Sequence, residues 1–389
     1  MKAATKRLGD IAAVFNGKTP SKAEQRDAGF PVLKIKDVSE TGQFRGTFAS
    51  FVDESLANKH SARWVHSGDT LILNAAHNAD YVASKMFFAG ADVTGALPTG
   101  EWLLVRPNTT EAVPEFLHYW LRSSDAKKAV RFLVKGIHLY PKDVAELSVP
   151  WFSLPEQRRI VDILSRAEGI VRLRREAEKK AAELIPALFL DMFGDPATNP
   201  KGFPTKAIKD ICDLVRGSSP RPQGDSRYFG GPVPRLMIAD ITRDGVYVFP
   251  KIDSLTVEGA KKSRPMKTGE VVMAVSGAVG LPAILSVDAC IHDGFVGFRS
   301  LSDEVSSEYF YNFLAAYRHL SIGQAVGATF QNLKTDQVRE WLVPLPSRTL
   351  QTEFNRVAAD MRSLEKQQAT ATAMAQATFD SLLTQMFKN

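Results

Sequence analysis

Gly17, Lys18 and Thr19 look like the end of a phosphate-binding loop, in which backbone amides and a lysine hold a nucleotide's phosphates and a hydroxyl reaches magnesium. Such a loop needs a glycine five residues upstream, and Ala12 stands there. A matching segment, Gly217, Ser218 and Ser219, has no lysine, so both read as polar turns. Gly277 and Gly280 have the wrong spacing for a dinucleotide fingerprint, and no DPPY- or NPPY-type motif of amino-methyltransferases occurs. Five of the seven histidines, at 60, 66, 77, 118 and 138, lack metal-ligand spacing. Cys212 and Cys290 stand far apart, with neither a CxxC nor a disulfide pattern. No catalytic residue, metal site or bound cofactor is therefore expected.

The polar loops fit a different chemistry. Lys18, Thr19, Ser21 and Lys22, and later Arg216, Ser218 and Arg221, combine cations and hydroxyls with Gly-Pro turns, as contacts to a phosphate backbone require. Asn74, His77 and Asn78 follow one expected strand, and Gln331, Asn332 and Lys334, with Thr329, precede another. Their paired donors and acceptors could read base edges. Lys36, Lys135, His138, Arg235 and Ser276 complete the candidate set for double-stranded DNA. A net charge of +6 and a pI near 9.1 permit such a polyanion without establishing it.

The elements that must position these residues come in two copies, about 194 to 203 residues apart. Leu8-Gly9-Asp10-Ile11 recurs as Ile208-Lys209-Asp210-Ile211, Ile35-Lys36-Asp37-Val38 as Ile238-Ala239-Asp240-Ile241, and Ser67-Gly68-Asp69 as Thr268-Gly269-Glu270. A period that long marks a duplicated domain, since each copy can bury its own core. In the first copy, strands are expected at Val32–Ile35, Thr70–Leu73 and Trp102–Val105, and a helix over Pro114–Phe132. Pro234–Ile238, Glu270–Val275, Gly294–Phe298 and a helix from Ser306 to Ala316 repeat the order. The expected fold is α+β: two mixed domains at 1–153 and 195–348, the latter opened by the proline-rich linker from Asp195 to Pro204, each followed by a long helix, at 154–194 and 349–389. Apolar runs too short for a membrane span or secretory signal imply a soluble, cytoplasmic chain.

Each copy closes with a Val-Pro pair, Val149-Pro150 or Val343-Pro344, followed by a helical rod. Ile160, Ile163, Ala167 and Ile170 recur at spacings of three and four, and adding 194 gives Phe354, Val357, Met361 and Leu364. This heptad seam predicts two helices packed lengthwise as an antiparallel coiled coil. Arg174 and Gln368 interrupt the seam at matching places, midway along a seam of roughly 42 Å. In an antiparallel pair these two would meet at the centre and fix the register. Pro186, inside the first rod, should kink its end.

As a whole the chain resembles the specificity subunit of a Type I restriction-modification system. The resemblance rests on Leu8 to Ile11 with Gly17, Thr19, Pro20 and Ser21; on Val149-Pro150 and Leu154-Pro155-Glu156-Gln157; and on Gln331-Asn332-Leu333, Val343-Pro344-Leu345-Pro346 and Gln351. Leu188, Met192, Phe193 and Gly194 also mirror Leu382, Met386 and Phe387. The chain departs from that pattern in lacking an acidic counterpart of Glu156, where Leu350 stands, and in carrying Pro186. The resemblance implies two target-recognition domains, each reading one half of a bipartite DNA site, with the rods as a ruler of about one turn of DNA. It also implies two methyltransferase subunits that bind S-adenosylmethionine, docked on the helical regions, and restriction subunits that use ATP and Mg; rod residues outside the seam, such as Leu173, Leu190 and Met374, are candidates for that docking or equally for packing on the recognition domains. The chain itself would catalyse nothing. A coiled-coil scaffold, the recognition segment of a fused restriction and methylation enzyme, and a stand-alone nuclease are the alternatives.

Overall fold

The computed structural model describes residues 4–318 and 333–388. Two compact units make up the chain, one of residues 1–175 with 370–389, the other of residues 176–369. Each holds a mixed α+β domain with segments of both rods, and the boundary between units falls inside the rods rather than at their ends.

The two units are built to one plan. Thr5–Arg7 pairs antiparallel with Ser148–Pro150, and Thr205–Ala207 with Leu342–Pro344, so each repeated Val-Pro pair closes its domain against the domain's own start. A four-residue helical turn follows, Leu8–Ile11 or Ile208–Ile211, its apolar ends buried. The first unit has an antiparallel sheet in the order Ala12–Asn16, Trp102–Pro107, Thr70–Leu73, Met86–Phe88. The second repeats it as Asp213–Arg216, Phe295–Arg299, Val271–Ala274, Pro282–Leu285, with Tyr247–Val248 added at the edge. A smaller sheet lies beside each. Thr70–Leu73 and Val271–Ala274 are buried at every position. Strands buried at successive positions fit a sheet covered on both faces. Ile72, Leu103 and Val105 pack with the helices, while Leu71, Leu73, Trp102 and Leu104 pack toward Leu33, Val38 and Phe87.

Three local expectations are corrected by polar side chains that bind backbone. The strand expected to reach Ile35 ends at Leu33, because Ile35–Asp37 is a 3-10 turn whose buried Asp37 accepts from the Lys34 amide at 2.8 Å. Asp240 does the same for the Met237 amide at 3.0 Å, so its motif begins a helix, Ile238–Asp244, and not a strand end. The helix expected over Pro114–Phe132 is two, Pro114–Arg122 and Ser124–Phe132, because Ser123 leaves the helical conformation and caps the second through the Ala126 amide.

The first rod runs as Leu154–Ala182 and Leu184–Phe193, interrupted at Glu183. Pro186 has no N–H to offer the Ala182 carbonyl four residues back, which accounts for the break. The second rod, with Asp380 at the matching place, is one helix, Arg348–Phe387. Within the first unit the rod segments are antiparallel: Phe116 meets both Phe152 and Phe387, at centroid distances of 5.9 and 5.3 Å, while Arg175 donates to Gln376 at 2.8 Å. Within the second, Phe189 and Phe193 pack on Phe354 at 5.7 and 5.3 Å.

The buried stripe departs from the expected seam. Ile160 and Phe354 are buried and Ile163, Ala167, Val357 and Met361 partly so, but Ile170 is 52% and Leu364 56% exposed. Leu164, Val171 and Ala358 are buried in their stead. Each rod covers a domain as well as another helix, which selects a wider face than a two-helix heptad. Arg174 belongs to the first unit and Gln368 to the second, and both are half-buried.

One glutamine per unit locks rod to domain. Gln157, fully buried, accepts from the Val113 amide at 2.8 Å and donates to the carbonyls of Glu111 and Phe152 at 3.3 and 3.0 Å. Gln351 accepts from the Ser306 amide at 2.9 Å and donates to Glu304 and Pro346 at 2.7 and 2.9 Å. The amide side chain matches one donor and two acceptors at the start of the domain helix.

Candidate nucleic-acid interface

In the first unit the candidate loops meet at one edge of the central sheet, where Ala12–Asn16 and Thr70–Leu73 end and Trp102–Pro107 begins. The Gly17 amide donates to Trp102 at 2.9 Å, the Lys18 amide to Pro98 at 2.7 Å, and the Gly100 amide to the Thr19 hydroxyl at 2.8 Å. Asn74 donates from its backbone to Glu101, and Leu139 to Asn74, each at 2.8 Å. Four loops are thereby stitched into one surface. Gly17 makes it possible, since a Cβ there would collide with the carbonyls of Pro98 and Thr99. Lys18, Thr19, Ser21, Lys22, His77, Asn78, Lys135 and His138 are exposed on these loops. Lys135 also pairs with Asp143 at 2.6 Å. Lys36 is exposed on its own 3-10 turn.

The second unit repeats the stitching. The Gly217 amide donates to Phe295 at 2.9 Å and the Ser218 amide to Ile291 at 3.1 Å, and a Cβ on Gly217 would strike the Ile291 and His292 carbonyls. Arg216 donates to the carbonyls of Asp293, at 2.8 Å, and Leu333, at 3.4 Å. Ser218 donates to the Lys262 carbonyl at 2.9 Å. Arg221 is exposed, 4.0 Å from Asp293. Ser276 is half-buried and Lys334 exposed. The Leu333 amide donates to Val275 at 3.0 Å, as Leu139 does to Asn74. Thr329, Gln331 and Asn332 lie outside the described residues.

Two candidates are corrected. Asn74 is buried, and its side-chain amide donates to Asn16 Oδ1 at 2.9 Å and the Gly100 carbonyl at 3.1 Å. Arg235 is 5% exposed, ion-paired with Asp253 and donating to the Ser219 hydroxyl at 2.9 Å. Both hold loops in place; neither can reach a partner without leaving its pocket. Burying them unpaired would be costly, so their partners were folded in with them.

The structure adds cations that the motif search passed over. Arg63 donates to the Asn16 and Gly17 carbonyls at 2.7 and 2.9 Å, and Arg264 to the Arg216 carbonyl at 3.0 Å. The two stand at the same distance ahead of Gly68 and Gly269, a signal present in the sequence. Burial lowers the pKa of His60, with Lys18, Lys59 and Arg63 adding to the shift and Glu24 opposing it. In the second unit Lys262 lies over the Tyr228 ring and donates to its hydroxyl at 2.6 Å. Among the described residues no group of three or more His, Cys, Asp or Glu could hold a metal ion, and no helix is long and apolar enough to cross a membrane. Burial, with Asp213 beside it, pushes the Cys212 thiol up to about 12, unlike an activated nucleophile.

Two duplicated domains, each presenting a cation-rimmed loop edge and joined to helical rods, match a known family. The model of the Type I restriction modification DNA specificity domain fits residues 2–183 and again 200–356, and the chain belongs to that family, with two recognition domains. A putative type I restriction enzyme MjaX specificity subunit from Methanocaldococcus jannaschii is 20% identical over 362 residues, 88% of this chain and 82% of that protein. The MjaIX specificity subunit of the same organism is 26% identical over 153 residues, 38% of this chain and 35% of its own. Among solved structures, a chain from work on complex assembly and conformational transition of the type I R-M system superposes with a TM-score of 0.68 at 20% identity, covering 99% of this chain and 97% of that one. The Type-I restriction-modification S subunit from M. genitalium gives 0.52 at 13% identity, over 99% and 96%. At these identities the structural likeness concerns the fold.

Proposed function

We propose that the chain is the DNA-reading, non-catalytic subunit of a Type I restriction-modification complex, each domain (1–153 and 195–348) recognising one half of a bipartite site. The observation that carries this reading is the repeated loop edge: a glycine packed against backbone, an arginine holding that glycine's loop, and exposed cations around it, once per unit. Lys18, Lys22, Lys59 and Lys135, and Arg221, Lys262 and Lys334, supply phosphate contacts; His77, Asn78, His138 and Ser276, with Gln331 and Asn332, supply base-edge donors and acceptors. Methylation and cleavage belong to partners: two methyltransferase subunits carrying S-adenosylmethionine and flipping the target base, and restriction subunits using ATP and Mg, in the cytoplasm with the DNA they act on.

Exchanging residues 1–153 for the same region of a related chain tests the assignment. Methylome sequencing of cells carrying the hybrid with its methyltransferase partner should reveal one changed half-site and one intact. A simultaneous change in both would refute separate recognition by the two domains.

A further inference from the structure

Phe132 is 89% exposed at the end of the helix Ser124–Phe132. Leaving so large an apolar side chain in water forfeits about 2 kcal/mol of burial, and the surrounding surface shares the anomaly. The large apolar side chains exposed on the described globular part of the first unit are Tyr81, Phe132, Ile137 and Tyr140. Tyr81, Ile137 and Tyr140 fall in two segments joined by the bridge between Ala75 and His138, and Phe132 ends the helix that leads into the second of them. These are the segments that carry His77, Asn78, Lys135 and His138. Lys128, one turn before Phe132, and Arg131 beside it are exposed as well. An apolar tip with a cationic rim, on the edge that faces a polyanion, has the composition of a side-chain wedge that enters a kinked base step while lysines hold the flanking phosphates.

We propose that Phe132, flanked by Ile137 and Tyr140, inserts against a base step of the half-site read by the first domain and makes that domain's recognition depend on DNA deformability. The proposal rests on the DNA-reading function assigned above. The occupant is a DNA duplex rather than a protein face because the exposed cations Lys128 and Arg131 lie within one helical turn of Phe132 on its own helix, and a step rich in pyrimidine–purine character is the cheapest to open.

The test uses the complete chain with its methyltransferase partner and a duplex carrying the motif found by methylome sequencing, with 2-aminopurine placed at successive positions of that half-site. Emission should rise at one step away from the modified adenine. Phe132→Ala should abolish that rise and weaken binding roughly tenfold or more, without altering how steeply affinity falls with salt. Lys128→Ala should lower that slope by about one, and Phe132→Leu should keep most of the affinity. The flipped target adenine is the internal control, because its signal should survive Phe132→Ala. If Phe132→Ala leaves both affinity and emission unchanged while the wild-type complex binds its motif, the wedge is refuted and the DNA-reading function stands. If the variant instead fails to co-purify with the methyltransferase, the patch is a protein-docking surface and the proposal falls. If the wild-type complex binds no motif, the DNA-reading function itself fails.

Discussion

Gln157 and Gln351 place one amide group where three backbone groups need partners, and no hydrocarbon side chain can do the same. Gln157→Leu would take from the half-buried Val113 amide and Glu111 and Phe152 carbonyls the partner that Gln157 gives them. The expected cost is about 2–4 kcal/mol, read as a lower denaturation midpoint. Gln367, exposed on the second rod, is the control, and Gln367→Ala should change stability by less than about 0.5 kcal/mol. Equal effects would show that the clamp contributes nothing. Buried polar groups of this kind were the least readable from sequence. Asn74 and Arg235 have the chemistry of base-reading residues, and only their burial reveals that they hold loops.

At the scale of elements, each rod does two jobs, covering a domain and packing on another helix. A three-and-four spacing in the sequence is compatible with more than one stripe, and the structure selects the one through Ile160, Leu164 and Val171. Leu164→Ala should therefore cost about 2–5 kcal/mol, and Ile170→Ala less than about 1 kcal/mol. Comparable losses at both sites would restore the narrower seam. Pro186, in contrast, had a legible consequence, because a missing N–H interrupts a helix wherever it falls inside one. The interruption comes three residues earlier, at Glu183.

For the whole molecule, rods that take part in both units should set the spacing of the half-sites. Removing one heptad from each rod where they pair within the first unit takes out roughly 10 Å while keeping the same faces inward. With base pairs about 3.4 Å apart, the spacer in the methylated motif should shorten by up to about three base pairs, its half-sites unchanged. An unchanged spacer in an active complex would show that the rods are not the ruler.

The sequence by itself determined the duplication, the order of strands and helices within each copy, the two rods and the family, because all of these are periodic or repeated and survive as patterns along the chain. Gly17 and Gly217 could be paired from sequence alone, yet the carbonyls that forbid a side chain there, on Pro98, Thr99, Ile291 and His292, lie 74 to 82 residues away. Tertiary structure alone decided which polar residues face outward, which apolar stripe is buried, and that Phe132 stands in solvent. Burial is a property of three-dimensional neighbours, and the same residue type serves as a clamp when enclosed and as a contact when exposed.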